Sequence, residues 1–118
     1  LAIDCSRMLT ASHVGGIIEL GSVPIHSDAI SLSEVPDTNQ ITPLEHAMQD
    51  GEDFELLLAI PPQAAHALVE DDPGSLVQQT TMQPRIIGKV TEGFAFAGTT
   101  PDGQTIRLEP KGFEHVFK

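Results

Sequence analysis

Residues 50–60 read DGEDFELLLAI and place four carboxylates within six residues, directly before an apolar run. A strand is predicted over residues 54–60, where all residues except Glu55 are apolar and Pro61 and Pro62 follow; such an apolar run is typical of a strand buried on both faces. A simple turn needs one glycine and one Asp or Asn rather than four acids. The stretch therefore predicts a buried strand with an acidic loop at its entrance, where binding groups tend to gather in α/β folds.

Two helices are predicted upstream of this strand. Apolar residues at helical spacing predict a helix over residues 1–13, and Ser12 together with the pair Gly15 and Gly16 is expected to end it. Thr42 and Glu45 are three positions apart with a proline between them, which predicts an N-terminal capping box. Further helices are predicted over residues 27–32 and 63–69, and strands over residues 17–20, 85–90, 94–97 and 105–108.

The interleaving of helices and strands predicts the fold class. The last two strands are joined by a turn at residues 101–103, so part of the sheet is antiparallel. We therefore expect a single α+β domain over residues 1–118, with a mixed β-sheet packed with helices. With five Phe and no Trp or Tyr, its core must be mainly aliphatic. The first residue, Leu1, already lies in an apolar helical pattern, so we expect a piece of a longer protein.

The charge is strongly acidic and unevenly distributed. The formal net charge is -11; residues 1–84 hold 13 acids and one base, whereas residues 85–118 hold four acids and five bases. Such a surface repels nucleic acid and anionic membranes, so neither is expected as a partner. An acidic protein can still bind a phosphorylated ligand when a divalent cation bridges the two.

Cysteine and histidine usage argues against several kinds of site. The single cysteine, Cys5, excludes an internal disulfide, favours the cytoplasm, and lies on an apolar helix face where a core role is expected. None of the five histidines pairs with a cysteine or a second histidine at zinc-ligand spacing. His46 and His66 are predicted to be exposed on helices. Neither a phosphate-binding loop motif nor a dinucleotide-binding fingerprint occurs.

The acidic stretch also carries a family resemblance. Residues 51–57, GEDFELL, resemble the signature GG-[ED]-D-[YF]-E-L of thiamine-monophosphate kinases. Weaker resemblances follow the same order and spacing along nearly the whole chain: residues 1–7, 11–20 (ASHVGGIIEL), 86–90 (IIGKV) and 112–116 (GFEHV). Asp50 departs from the signature's first glycine and puts the exact loop backbone in doubt. Phe54 stands where Tyr is commoner, and Val116 replaces a final Phe.

The resemblance implies both a fold and an activity. The fold would be the C-terminal domain of the aminoimidazole ribonucleotide synthetase superfamily. The full-length enzyme would transfer the γ-phosphoryl group of ATP to thiamine monophosphate and would be a homodimer. Its ATP and Mg2+ sites would lie largely in an N-terminal half outside these 118 residues, with an Asp-x-Ser-Asp-Gly element just before Leu1. The isolated chain is therefore expected to bind neither cofactor and to be inactive, with no catalytic or metal-ligating residue assigned to it.

The resemblance also implies a substrate pocket. Carboxylates suit the cationic thiazolium and the amino group of thiamine monophosphate, and an aromatic face suits the cation. The residues assigned to this pocket are Gly51, Glu52, Asp53, Phe54 and Phe113. Two alternatives stay open for the acids: Glu55 satisfies backbone donors in the loop, or the whole cluster is only a solvated helix-to-strand turn.

Two other functions remain open. The chain could belong to another ATP-dependent member of the superfamily, acting on a ribonucleotide or on a maturation-factor substrate. It could also be a non-catalytic acidic binding module that kept the fold and lost the chemistry. The sequence upstream of residue 1 discriminates a kinase from a binding module, because only a kinase needs the magnesium-binding acids there.

Overall fold

The computed structural model describes residues 1–25, 27, 30–31, 42–49, 56–70 and 84–109. These residues form, in chain order, α1 (Ala2–Ala11), β1 (Gly15–Glu19), a 3-10 helix (Leu20–Ser22), α2 (Pro43–Gln49), α3 (Pro62–Val69), β2 (Gly88–Thr91), β3 (Phe96–Thr99) and β4 (Thr105–Arg107). Residues 27, 30 and 31 are helical, and the rest of the helix predicted over residues 27–32 lies outside the described residues.

The four strands form one mixed sheet in the order β2-β1-β3-β4. The central strand β1 runs antiparallel to β2 and parallel to β3, and β3 and β4 form an antiparallel hairpin. Thr100 N–H donates to the Gln104 carbonyl at 2.8 Å, which closes the predicted turn. The prediction of an α+β domain with a mixed sheet is confirmed.

Helix α1 packs on one face of this sheet through Gly16. A Cβ at Gly16 would lie 2.8 Å from Leu9 Cδ1, so the missing side chain leaves room for the helix. The predicted helix end is confirmed at Ser12, which is the C-cap residue, but is wrong for Gly15 and Gly16, because both belong to β1. The helix ends at Ala11 instead, and His13 reverses the chain with a positive φ of 55°. The glycines serve close packing rather than helix termination.

The core is aliphatic, as predicted. One cluster of buried side chains joins α1, β1, the 3-10 helix and α2, and partly buried residues from the rest of the chain pack against it. The buried members are Ala2, Cys5, Ile18, Leu20, Val23 and Met48, and the packed neighbours are Leu1, Leu44, Ala47, Leu57, Phe96 and Leu108. Burial of this apolar surface is the main stabilising term available to a domain of this size.

The strand predicted over residues 54–60 is not formed in the part of it that the structure describes. Residues 56–60 belong to no strand and contain neither turn nor bend. Only Leu57 packs against the core, whereas Leu56 is 84%, Leu58 60% and Ile60 38% exposed. The apolar run is a genuine strand signal, but a strand also needs a hydrogen-bonded neighbour, and none of the four described strands lies beside this run.

The other predicted elements are present with shifted boundaries. Strands β2 and β3 begin two or three residues later than the predicted ranges 85–90 and 94–97, and Phe94 is exposed before β3. Helix α3 is confirmed, and Ala64 and Ala67 on it are exposed. Ala65 and Leu68 are half-buried, and no residue of α3 belongs to the buried core.

The capping box at the start of α2 is confirmed. Thr42 N–H donates to Glu45 Oε2 at 2.7 Å, and Glu45 N–H donates to Thr42 Oγ1 at 3.2 Å. The backbone hydrogen bond from Thr42 lowers the pKa of Glu45, and its side-chain bond adds to the effect. The stabilisation by this carboxylate is therefore complete above the unfolded-state pKa and is lost as the pH falls through the lowered folded-state pKa.

Replacing the capping side chain tests how far α2 depends on it. We expect Thr42→Ala to lower the free energy of unfolding by about 1 kcal/mol, because a helix of seven residues has few other bonds at its first turn. Thr42→Ser keeps the hydroxyl acceptor and serves as the control, with a change of a few tenths at most. Urea unfolding followed by circular dichroism measures both. Equal losses in the two variants would contradict a capping role.

Candidate functional site

The described residues that flank the acidic stretch on its two sides both contact the core. Met48, near the end of α2, is 6% exposed and belongs to the buried cluster, and Leu57 packs against that same cluster. The two residues are nine positions apart in the sequence and contact one cluster. The acids of residues 50–55 lie between these two core contacts in the sequence.

The predicted pocket residues themselves lie outside the described part of the chain. They are Gly51, Glu52, Asp53, Phe54 and Phe113. Their assignment to a substrate pocket stays a prediction. What the structure adds is the pair of anchors, Met48 and Leu57, which sequence reasoning did not single out. Each is an apolar residue flanking the acidic stretch, and nothing in the sequence distinguishes it from an ordinary core residue.

The start of α1 meets the same cluster. Leu1 packs against it, Ala2 is one of its buried members, and α1 contacts α2. Asp4 lies in the first turn of α1 and is exposed, and the helix has no side-chain capping bond at its N-terminus. The first residues of the chain thus contact the same cluster as Met48 and Leu57, which flank the acidic stretch.

Cys5 is a core residue, as predicted. It is buried in the cluster, and burial raises the pKa of its thiol. The nearby N-terminal charge lowers this pKa and Asp4 raises it, both less strongly than burial. Because the nucleophile is the thiolate, a raised pKa makes Cys5 a poor reactive group.

The histidines are divided between surface and interior. His66 on α3 is exposed, as predicted. His46 is half-buried on α2 and its Nε2 is shielded from solvent, so the prediction of an exposed surface residue is wrong for it. Helix α2, which carries His46, contacts α1. Within the described ranges, no group of three or more His, Cys, Asp or Glu side chains could hold a metal ion.

One motif residue has a clear packing role. Gly88, within the motif at residues 86–90, lies in β2 opposite Ile18. A Cβ at this position would overlap the Ile17 carbonyl oxygen and approach Ile18 Cα at 3.0 Å. The glycine therefore lets two backbones approach closely, which is one of the few reasons for glycine inside a strand.

Among the helices that the structure describes, none is long and apolar enough to cross a membrane.

Comparison with known proteins supports the resemblance. A curated thiamine-monophosphate kinase of Rhodopirellula baltica is 34% identical over 114 residues, which covers 97% of this chain and 33% of that protein. A thiamine-monophosphate kinase of Halobacterium salinarum is 32% identical over 115 residues, with 98% and 33% covered. No protein-family model matches the chain, and no solved structure matches it significantly.

The predicted kinship is confirmed along almost the entire chain. Both relatives carry the same name, and each alignment covers 97% or more of the 118 residues of this chain. The chain nevertheless spans only about a third of the length of these curated relatives. Kinship with kinases is therefore established, whereas the activity of the whole protein belongs to the proposal that follows.

Proposed function

We propose that this chain is the C-terminal, substrate-binding part of a thiamine-monophosphate kinase-like enzyme. Its two curated relatives bear that name and match nearly all of it, and this observation carries the proposal. Those relatives are about three times as long, so the proposal assigns the remaining functions to polypeptide outside residues 1–118. The full-length enzyme is proposed to be a cytoplasmic homodimer.

The charge of the chain supports the assignment of phosphate binding to polypeptide outside residues 1–118. Phosphoryl transfer between two anions requires cations and fixed dipoles that neutralise the phosphates. Residues 1–84 hold only one Lys or Arg against 13 acids, so they cannot supply that neutralisation. Magnesium, bound by acids elsewhere in the polypeptide, would neutralise the phosphates instead. Oxygen ligands of the Asp and Glu type suit this ion.

The chemistry of the acidic stretch fits the organic end of thiamine monophosphate. The thiazolium ring is cationic, and the aminopyrimidine ring carries an N–H donor. Glu52 and Asp53 would balance the cation and accept the N–H, and the rings of Phe54 and Phe113 would stack on the thiazolium. Holding this end fixed positions the phosphate for in-line attack, and positioning is a large part of phosphoryl-transfer catalysis.

The anchoring of the stretch supports a positioning role. Met48 and Leu57 tie both ends of the acidic connection to one cluster, and Leu1 packs there too. An Asp-x-Ser-Asp-Gly element placed directly before Leu1 by the resemblance would therefore start from the same part of the core. Substrate-binding and phosphate-handling groups would then converge on one region, as a kinase requires.

The first test is the activity of the 118-residue chain by itself. Incubated with ATP, magnesium and thiamine monophosphate, it is expected to form no thiamine diphosphate above background, because it lacks the groups that neutralise the triphosphate. Chromatography of the products measures this. Clear turnover would contradict the proposed division of labour, since the chain would then contain a complete catalytic site.

The second step of the test uses the complete polypeptide encoded by the gene. It is expected to form thiamine diphosphate from the same mixture, and to lose that activity when the acids upstream of residue 1 are replaced. Activity on a ribonucleotide instead would favour another member of the superfamily. Binding of thiamine monophosphate without turnover would favour a non-catalytic module.

A further inference from the structure

The turn between β3 and β4 contains a dipeptide whose two residues can react with each other. Asp102 is followed by Gly103, and Asp-Gly occurs at only one other place in the chain, residues 50–51, which lie outside the described residues. Because glycine has no Cβ, it leaves the backbone nitrogen after the aspartate open to the carboxyl group. Both residues are exposed, so water reaches the reacting atoms. The turn therefore contains the elements of a modification site.

The modification is conversion of the aspartate to isoaspartate through a cyclic imide. Gly103 N attacks Asp102 Cγ and forms a C–N bond, while the Cγ–O bond of the protonated carboxyl group breaks and the hydroxyl leaves with the amide proton as water. A second water then opens the ring. Its attack at Cγ restores aspartate, whereas its attack at the Asp102 backbone carbonyl carbon routes the main chain through the side chain and yields isoaspartate. The reaction consumes no reagent other than water.

The attacking nitrogen is held in place within the turn. Gly103 N–H donates to the Thr100 carbonyl at 2.9 Å. Gly103 has a φ of 89°, a left-handed conformation that glycine adopts without a steric cost. The amide proton must leave before the nitrogen attacks, so this hydrogen bond has to break first. The backbone of Thr100 thus keeps the nitrogen in an unreactive state.

The carboxylate is held by the side chain of the same residue. Thr100 Oγ1 donates to Asp102 Oδ1, and it accepts from Gln104 N–H at 3.0 Å. The Gln104 carbonyl oxygen lies 3.2 Å from Thr100 Oγ1, but a hydroxyl has one proton and the carboxylate is the nearer acceptor. The hydroxyl is thus fixed on one side by Gln104 and holds the carboxylate on the other. Rotation of the Asp102 side chain toward Gly103 N requires this hydrogen bond to break.

The rest of the turn is also restrained. Thr100 N–H donates to the Gln104 carbonyl at 2.8 Å. Pro101 has a φ fixed by its ring, and its Cγ lies 3.4 Å from the position that a Cβ on Gly21 would occupy, so the ring packs beside the 3-10 helix. The turn therefore has one defined geometry, and ring closure at Asp102 requires a departure from it.

We propose that Asp102 is a latent site of isoaspartate formation and that Thr100 keeps it unreactive in the folded protein. The Thr100 carbonyl restrains the attacking nitrogen, and the Thr100 hydroxyl restrains the carboxylate that is attacked. Isoaspartate lengthens the main chain by one carbon, so its formation would disrupt the hydrogen bonds between Thr100 and Gln104 that close the hairpin. This inference does not depend on the proposed kinase function, because all of its groups lie in one hairpin.

Peptide mapping of the complete polypeptide after prolonged incubation at neutral pH tests the proposal. Trypsin cleaves after Lys89 and Arg107 and releases residues 90–107, in which Asp102 is the only aspartate. Chromatography with electron-transfer fragmentation then separates and identifies the isoaspartyl form of this peptide. The folded protein is expected to form it about tenfold or more slowly than the same protein unfolded in guanidinium, because two hydrogen bonds must break in the folded state.

Three substitutions assign the protection to the Thr100 hydroxyl. Thr100→Val replaces the hydroxyl by a methyl group of similar size and should raise the rate in the folded protein about two- to tenfold, as expected for the loss of one hydrogen bond. Thr100→Ser keeps the hydroxyl and should retain the slow rate. Thr105→Val makes the same chemical change in β4 and should leave the rate unchanged. Hydrogen exchange of the β3 and β4 amides shows whether the hairpin persists in each variant.

Each outcome decides for or against the proposal. Equal rates in the folded and unfolded wild-type protein would overturn it, as would an unchanged rate in folded Thr100→Val. An equal rise in Thr100→Val and Thr105→Val, or faster hydrogen exchange throughout β3 and β4 in Thr100→Val, would assign the protection to the hairpin as a whole and overturn the role of the hydroxyl. A rise confined to Thr100→Val, with the hairpin retained, would support it.

Discussion

Gly88→Ala is expected to lower the free energy of unfolding by about 3 kcal/mol or more, because the added methyl group has no space. Its Cβ would overlap the Ile17 carbonyl oxygen and lie 3.0 Å from both the Ile17 carbonyl carbon and Ile18 Cα. These are backbone atoms of β1, the central strand of the sheet, so relief requires the pairing of β1 with β2 to open. Chemical unfolding monitored by circular dichroism measures the loss.

The matched control for this substitution is Gly21→Ala. A Cβ at Gly21 would meet only Pro101 Cγ at 3.4 Å, an ordinary van der Waals contact, and the backbone there has no positive φ. We expect a change within about 0.5 kcal/mol. Equal effects at the two positions would show that the close approach of β1 and β2 does not limit the choice of residue at position 88.

Local signals in the sequence predicted the elements that local chemistry determines. The capping box needs only Thr42 and Glu45 at the correct spacing, and both of its hydrogen bonds are formed. The turn at residues 101–103 likewise joins β3 to β4 as predicted. In both cases the partners are within five residues of each other, so no distant contact could change the outcome.

Signals that depend on distant partners were less informative. Gly15 and Gly16 read locally as a helix terminus, yet they lie in β1 because Leu9 and the residues around Ala95 pack close to them. The apolar run at residues 56–60 likewise carries a strand pattern without specifying its neighbour. Periodicity shows which side chains can be buried, but the neighbouring strand is selected by the whole sheet.

The chemistry of the candidate site could be predicted from the sequence, but the core contacts of the residues that flank it could not. Four acids beside an apolar run are visible in the sequence, and their similarity to a kinase signature is supported by the two relatives. The anchoring of that stretch by Met48 and Leu57 became visible only when α2 and the core cluster were placed. Anchors of this kind look like ordinary core residues in a sequence, because burial depends on contacts between elements.

Asp53→Asn and Phe54→Ala, introduced in the complete polypeptide, are expected to weaken binding of thiamine monophosphate and to leave ATP binding unchanged. Each removes one contact with the organic end of the substrate: a charged hydrogen bond for Asp53 and an aromatic face for Phe54. The loss of a well-placed charged hydrogen bond corresponds to ~1.5–3 kcal/mol, or roughly ten- to a hundredfold in affinity. Isothermal titration calorimetry with each ligand measures the effect.

Two control substitutions and a stability measurement separate a pocket from a solvated turn. Asp102→Asn and Phe94→Ala make the same chemical changes at exposed positions near the β3–β4 hairpin, so substrate affinity should not change. If residues 50–55 only shape the connection between α2 and residues 56–60, Asp53→Asn and Phe54→Ala will lower the melting temperature and leave affinity for thiamine monophosphate unaltered. That result would remove Glu52, Asp53 and Phe54 from the proposed pocket. It would leave the kinship with kinases intact, because the kinship rests on the whole chain.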